Sequence, residues 1–144
     1  MSDFQVLTAV RSHLLHEGVA PYVHLALPPK ATYPLILLEL EEIWSSYPFK
    51  EKEKRRDVQA RVKFKVSAYS QNPGMEEAAY LSDKIRRTLE GATLLLPGVR
   101  EGDKGGHKTS TIRFLACVTE VSGKTSGGHH LRVIHHFYDC IVRG

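Results

Sequence analysis

Two cysteines in 144 residues, with no CxxC, exclude a disulfide scaffold and a thiolate-rich metal centre. Both fall in apparent strands, so Cys117 and Cys140 are expected as buried, reduced thiols. Long apolar runs are missing too. The longest, Leu35 to Leu38, is strand-sized, far short of the roughly 20 residues that cross a bilayer, which predicts no membrane partner. The opening Met1-Ser2-Asp3-Phe4 lacks the basic start and apolar stretch of a secretory leader, which predicts synthesis in the cytoplasm. Charge of one sign is also scarce. The net charge is +4, and the one dense run, Lys50 to Arg56, alternates sign over most of its length, as a solvated connector does. Clustered basic residues interleaved with aromatics are absent, so no sequence-specific nucleic-acid binding is expected.

The motifs of common chemistry are incomplete. A phosphate-binding loop needs GxxxxGK[ST] between a strand and a helix, because its glycines let backbone N–H groups cradle phosphate. Gly102 to Thr109 has the spacing, but His107 replaces the second glycine. Gly123-Lys124-Thr125 has the ending, but Val118 stands where the first glycine belongs. There is no GxSxG. Of the eight histidines, His129-His130 and His135-His136 are neighbours whose side chains leave a strand on opposite faces. His130 and His136 share a face but lie about 20 Å apart at strand rise. His13 and His16 are one helical turn apart and could chelate together, but no Cys lies near them. Glu39 and Glu41, about 7 Å apart on one strand face, have a spacing compatible with paired acid and base roles. Cross-strand ion pairs with Arg61, Lys63 and Lys65 explain them more simply. No catalytic, cofactor-binding or metal-ligating residue is therefore assigned, and no cofactor is expected.

What is present reads as one α+β domain over residues 1–144, built on a mostly antiparallel sheet with two principal helices. A hydrophobic share of 42% and a charged share of 25% are ordinary for a globular chain. Ser2 or Asp3 can cap a first helix running to about Glu17, with Phe4, Leu7, Val10 and Leu14 on one stripe and Gly18 as its stop. Tyr22 to Leu27 is a short extended piece ended by Pro28-Pro29. Leu35 to Trp44 has few β-branched residues, which leaves a helix open; Pro34 before it and a long strand after it favour a strand. Residues 58–69 alternate Val58, Ala60, Val62, Phe64, Val66 and Ala68 with polar residues, which is a strand with one face on a core and one in water.

Asn72 as N-cap and Pro73 at the first position open a second helix. Its packing stripe is Ala78, Leu81, Ile85 and Leu89, and Gly91 is its stop. Thr93 to Leu96 reads as a short strand, and Thr109 to Val121 as a long one with Ile112, Phe114, Ala116 and Val118 on one face. Ser122 to Gly128 reads as a loop and His130 to Val142 as the last strand.

Several stretches together resemble the tail-terminator and tail-completion (head–tail joining) proteins of long-tailed bacteriophages and prophages. They are the Phe4–Glu17 helix, the Tyr33-Pro34-Leu35-Ile36-Leu37-Leu38 strand and the closing His130–Val142 strand. The most telling is Val62-Lys63-Phe64-Lys65-Val66-Ser67-Ala68-Tyr69-Ser70 running into Glu77 to Leu89. The Ser45–Arg56 connector is longer than a plain hairpin needs and departs from the family pattern. The resemblance implies a non-enzymatic virion assembly protein of the tail or neck. Its subunits would form a ring, commonly a hexamer, that caps the tail tube and contacts head and neck proteins. Interface residues would fall at Lys50–Arg56, Glu101–Lys108 and Ser122–His130. In them Lys50, Lys52, Lys54, Arg55, Arg56, Lys104, Lys108 and Lys124 are the candidates. The alternatives are another small assembly module such as a head–tail connector, or a small enzyme or nucleic-acid binder.

Overall fold

The computed structural model describes residues 3–46, 59–96, 108–124 and 130–143. Helix α1 (Asp3–His16) is followed by strands β1 (Val23–His24), β2 (Leu35–Ser46) and β3 (Gln59–Ser70). Helix α2 (Glu76–Leu89) and strands β4 (Arg113–Lys124) and β5 (His130–Arg143) follow among the described residues. The strands form one sheet in the order β1-β2-β3-β5-β4; among the described residues the β1–β2 pairing is parallel and the others are antiparallel. The α+β class with a mostly antiparallel sheet and two helices is thus the observed architecture.

Register explains how the core forms. Phe64 of β3 lies opposite Leu40 of β2 on one side and Tyr138 of β5 on the other. The residues sharing that phase face the helices: Ala60, Val62, Phe64, Val66 and Ala68 of β3 are buried with Ile36, Leu38, Tyr138, Cys140 and Val142. The helices fill this face. α1 contributes Val6, Leu7, Ala9, Val10 and Leu14, and α2 contributes Leu81, Ile85 and Leu89. Ala78 is buried as well, so the whole α2 stripe packs as its spacing predicts. Gly18 and Gly91 both adopt positive φ, 64° and 83°, the left-handed conformation that lets each follow a helix end without a Cβ penalty.

Several local expectations are corrected. α2 begins at Glu76 with Met75 as N-cap and no capping side chain. Asn72 instead accepts a hydrogen bond from Gly74 N–H at 3.2 Å, a turn that competes with a helix start. Ser70 Oγ donates to Glu77 at 2.7 Å and receives Asn72 N–H at 3.1 Å, fastening the end of β3 to the helix. The extended piece at residues 22–27 keeps strand pairing only at Val23 and His24, and the Thr93–Leu96 strand contracts to a single bridge between Leu95 and Lys108.

In β4 the register shifts between Phe114 and Ala116. The extra residue moves Ala116 and Val118 to the face opposite Phe114, so a strict alternation fails there. Past this bulge β4 is exposed on both faces, which leaves Cys117 exposed rather than buried; Cys140 is buried as expected. β4 also continues through Ser122 to Lys124, where a loop was expected. The outer face of β3 is not wholly wet either. Ser67 is buried there, beside its partners Leu37 and His135, and Leu35, Leu37 and Val133 are buried in the same phase.

Phe64 is fully buried and stacks on Tyr138 with ring centroids 5.7 Å apart, at the centre of the core. Phe64→Ala is expected to cost about 3–5 kcal/mol in urea unfolding. Tyr80→Ser, on the exposed face of α2 with Lys84 over its ring, is expected to cost less than about 1 kcal/mol.

Candidate functional site

The polar side chains that the fold brings together form three groups, and each is built by strand register. On the outer face Asp139 of β5 lies opposite Arg113 of β4 and Lys63 of β3. Arg113 grips its carboxylate with two nitrogens, Nε to Oδ1 at 3.0 Å and Nη2 to Oδ2 at 2.7 Å. Arg61 adds Nε at 2.8 Å and Nη2 at 2.6 Å to Oδ2. The Asp139 side chain is 3% exposed, whereas both arginines are about half or more open to solvent. Burial by itself would raise the Asp139 carboxyl, but the hydrogen bonds from Arg113 and Arg61 outweigh it and hold the group below its ordinary value. Beside them lies an open depression of about 370 Å³, bordered by Ser110, Thr111 and Ile141. Arg61 and Arg113 line it together with Cys140 and these residues, so its wall is mixed polar and apolar.

The second group crosses three strands. Ser67 Oγ on β3 lies 2.7 Å from His135 Nδ1, and His135 Nε2 lies 2.9 Å from Glu120 Oε1 on β4. The imidazole thus joins a hydroxyl on one side to a carboxylate on the other. The residue types are those of a hydrolase triad, but Ser67 is completely buried, so no carbonyl carbon can approach its oxygen. The chain of bonds is a tie across the sheet.

The third group lies on the helix side. His136 Nε2 meets Ser82 Oγ of α2, and His136 Nδ1 lies 2.8 Å from Tyr138 Oη. Phe114 packs edge-on to both rings. Burial, with a smaller contribution from the Arg86 charge, lowers His136 from 6.5 to about 4. The ring is therefore neutral near pH 7, and it donates to one hydroxyl while accepting from the other. Burial likewise pushes the Tyr138 phenol up and the Cys140 thiol up to about 12, so neither is a ready nucleophile or base.

The histidine neighbours diverge as strand geometry requires, His135 to the outer face and His136 to the inner. Among the described residues no three His, Cys, Asp or Glu side chains gather as a metal site. None of the described helices is long and apolar enough to cross a membrane. Lys65 Nζ bridges Glu39 at 3.3 Å and Glu41 at 3.7 Å, as the ion-pair reading has it, while Arg61 pairs with Asp139 instead.

Of the candidate interface residues, Lys108 is exposed next to buried Thr109, and Lys124 ends β4 opposite His130. Lys50, Lys52, Lys54, Arg55, Arg56 and Lys104 lie outside the described residues. The Asp139 cluster was missed by sequence reasoning. Its signal is an acid and two bases on strands of common phase, visible only once the register is known.

No protein-family model matches the chain, and no curated protein does. Among solved structures, a chain from the virion of a native gene transfer agent particle is similar in fold, with a TM-score of 0.64 and 18% sequence identity. The match covers 98% of this chain and 96% of that one. Identity at this level speaks for the fold alone.

Two outcomes follow from the buried groups. An imidazole depressed to about 4 takes up its proton later than the unfolded chain, so stability falls as pH drops from about 6.5 to about 4. The expected loss is about 2 kcal/mol, below the full value because the surface charge of Arg86 is screened. Urea titrations at pH 7.5 and 4.5 should show this loss in the wild type and a flatter dependence in His136→Gln. The Asp139 cluster should respond asymmetrically to truncation. Asp139→Ala leaves arginines that solvent can reach, whereas Arg61→Ala with Arg113→Ala strands a buried carboxylate. Thermal unfolding at pH 7 should rank the double variant as the less stable.

Proposed function

We propose that this chain is a non-enzymatic structural subunit of a phage-like virion, made in the cytoplasm and built into the tail or neck. One observation carries the reading: a fold shared, over nearly the full length of both chains, with a component of a gene transfer agent virion. In the finer form of the proposal it is a tail-terminator-like protein. Copies close into a ring, a hexamer in the simplest case, that stops growth of the tail tube and offers a surface to the head or neck. Such work needs shape and complementary patches, and a ring needs two different patches on each copy, since the contact is head-to-tail. The sealed positions of Ser67, His136 and Cys140 fit a protein that acts through its surface.

In this reading the single domain of residues 1–144 presents Lys50, Lys52, Lys54, Arg55, Arg56, Lys104, Lys108 and Lys124 to neighbouring copies and to tail-tube or neck proteins. Size-exclusion chromatography with light scattering, followed by negative-stain microscopy, tests it. The expected result is a closed ring of fixed copy number whose formation weakens as salt screens the lysine and arginine contacts. A chain that stays monomeric up to millimolar concentration overturns the reading.

A further inference from the structure

The sheet is open at both sides, and the two openings differ. β4 has β5 on one edge and, among the described residues, no strand on the other. On the far side β1 pairs only at Ile36 and Leu37, so from Leu38 to Ser46 the outer edge of β2 carries no strand among the described residues. Unpaired edges present rows of backbone N–H and C=O groups, ready to pair with another strand.

Charge and exposure make these edges complementary. The segment Leu38–Trp44 holds Glu39, Glu41 and Glu42 and no basic residue. The start of β4 is flanked by bases on both faces: Arg113 and Arg61 outside, and Arg86 of α2 lying 4.0 Å from the Phe114 ring centroid. Each edge also exposes large apolar side chains. Trp44, 65% exposed, stands with Leu40 on β2, and Val118 and Val121 stand on β4. An exposed tryptophan next to an open strand edge is the kind of residue that anchors an interface.

Direction fits as well. From β2 through β3 and β5 to β4 every pairing is antiparallel, so β2 and β4 run oppositely within the sheet. A second copy that continues the sheet brings its β2 antiparallel to the first copy's β4. We propose that β4 of one copy pairs, from Arg113 onward, with Leu38–Ser46 of β2 in the next copy. This is the head-to-tail contact of the ring, and it rests on the ring reading given above.

Two local features limit the overlap. At one end β1 occupies the β2 edge at Ile36 and Leu37. At the other, the chain after α2 takes the edge just before β4, where Ile112 N–H donates to Ala92 at 2.8 Å and Leu95 bridges Lys108. The pairing must therefore slide along the strands, which tilts them across the contact as in closed barrels.

The exposed Cys117 on β4 and the sealed Cys140 permit a direct test. Leu40→Cys and Ile43→Cys, whose side chains leave β2 on the helix-side face that Cys117 shares on β4, are made singly in the full chain and oxidised mildly. Folding is checked by circular dichroism, and assembly by light scattering before oxidation. The expected result is a ladder of disulfide-linked chains ending at the ring size for at least one position, and no ladder when Cys117→Ser is added. In parallel, Glu42→Lys should weaken assembly about tenfold or more through like-charge contact with Arg113 on the outer face of β4. Rings that form without crosslinks at either position overturn this interface and leave the ring reading standing. Crosslinked dimers with nothing larger overturn the head-to-tail geometry. Folded chains that never assemble overturn both.

Discussion

The structure depends on β3 being paired along its whole length on both sides. Its twelve residues hold β2 on one edge and β5 on the other, nearly without interruption. Because side chains alternate along a strand, this double pairing dictates which residues of three strands meet the helices. Phe64 brings Tyr138 with it, and Val66 brings His136. A slip of one residue would expose the core row and bury Arg61, Lys63 and Lys65 without partners. The register is therefore set by the cost of burying charge as much as by the gain from burying apolar surface.

The same alternation governs the polar groups. Neighbouring positions on β5 send His135 to the outer face, where it ties Ser67 to Glu120, and His136 to the inner face, where it ties α2 to the sheet. Asp139, three residues further on, is drawn below the surface and matched by two cations on adjacent strands. In each case the group is satisfied by its neighbours. Ser67, His136 and Asp139 are buried within these ties, while Glu120, Arg61 and Arg113 stand open to solvent.

Much of the fold could be read from the chain because its strongest patterns are local. The alternation across residues 59–69 and the four-residue stripe of α2 needed no knowledge of neighbours, and Gly18 and Gly91 stop the helices where positive φ is required; Val58 lies outside the described residues. Failures came where one residue's role depends on another strand. The bulge at Phe114–Ala116 inverts the phase of β4 and exposes Cys117; nothing in Arg113-Phe114-Leu115-Ala116 announces it. Asn72 looked like a cap, yet its side chain closes a tighter turn before the helix begins. Lys65 between two glutamates was legible from spacing, whereas the Asp139 cluster needed the alignment of β3, β5 and β4.

The two hairpins of the sheet turn at opposite ends. β2 hands over to β3 beyond the Ser46–Gln59 pair, and β4 hands over to β5 beyond the Lys124–His130 pair; β3 and β5, lying antiparallel, set those turns a full strand length apart. The subunit is thus polar along its strand axis. Any annulus assembled from it with the strands steeply inclined to its plane would have an upper and a lower rim of different composition, the end of β2 and the start of β3 on one and the end of β4 and the start of β5 on the other. An object with unlike rims meets a different surface on each side, and stacking a second such annulus on the first gains nothing from self-likeness.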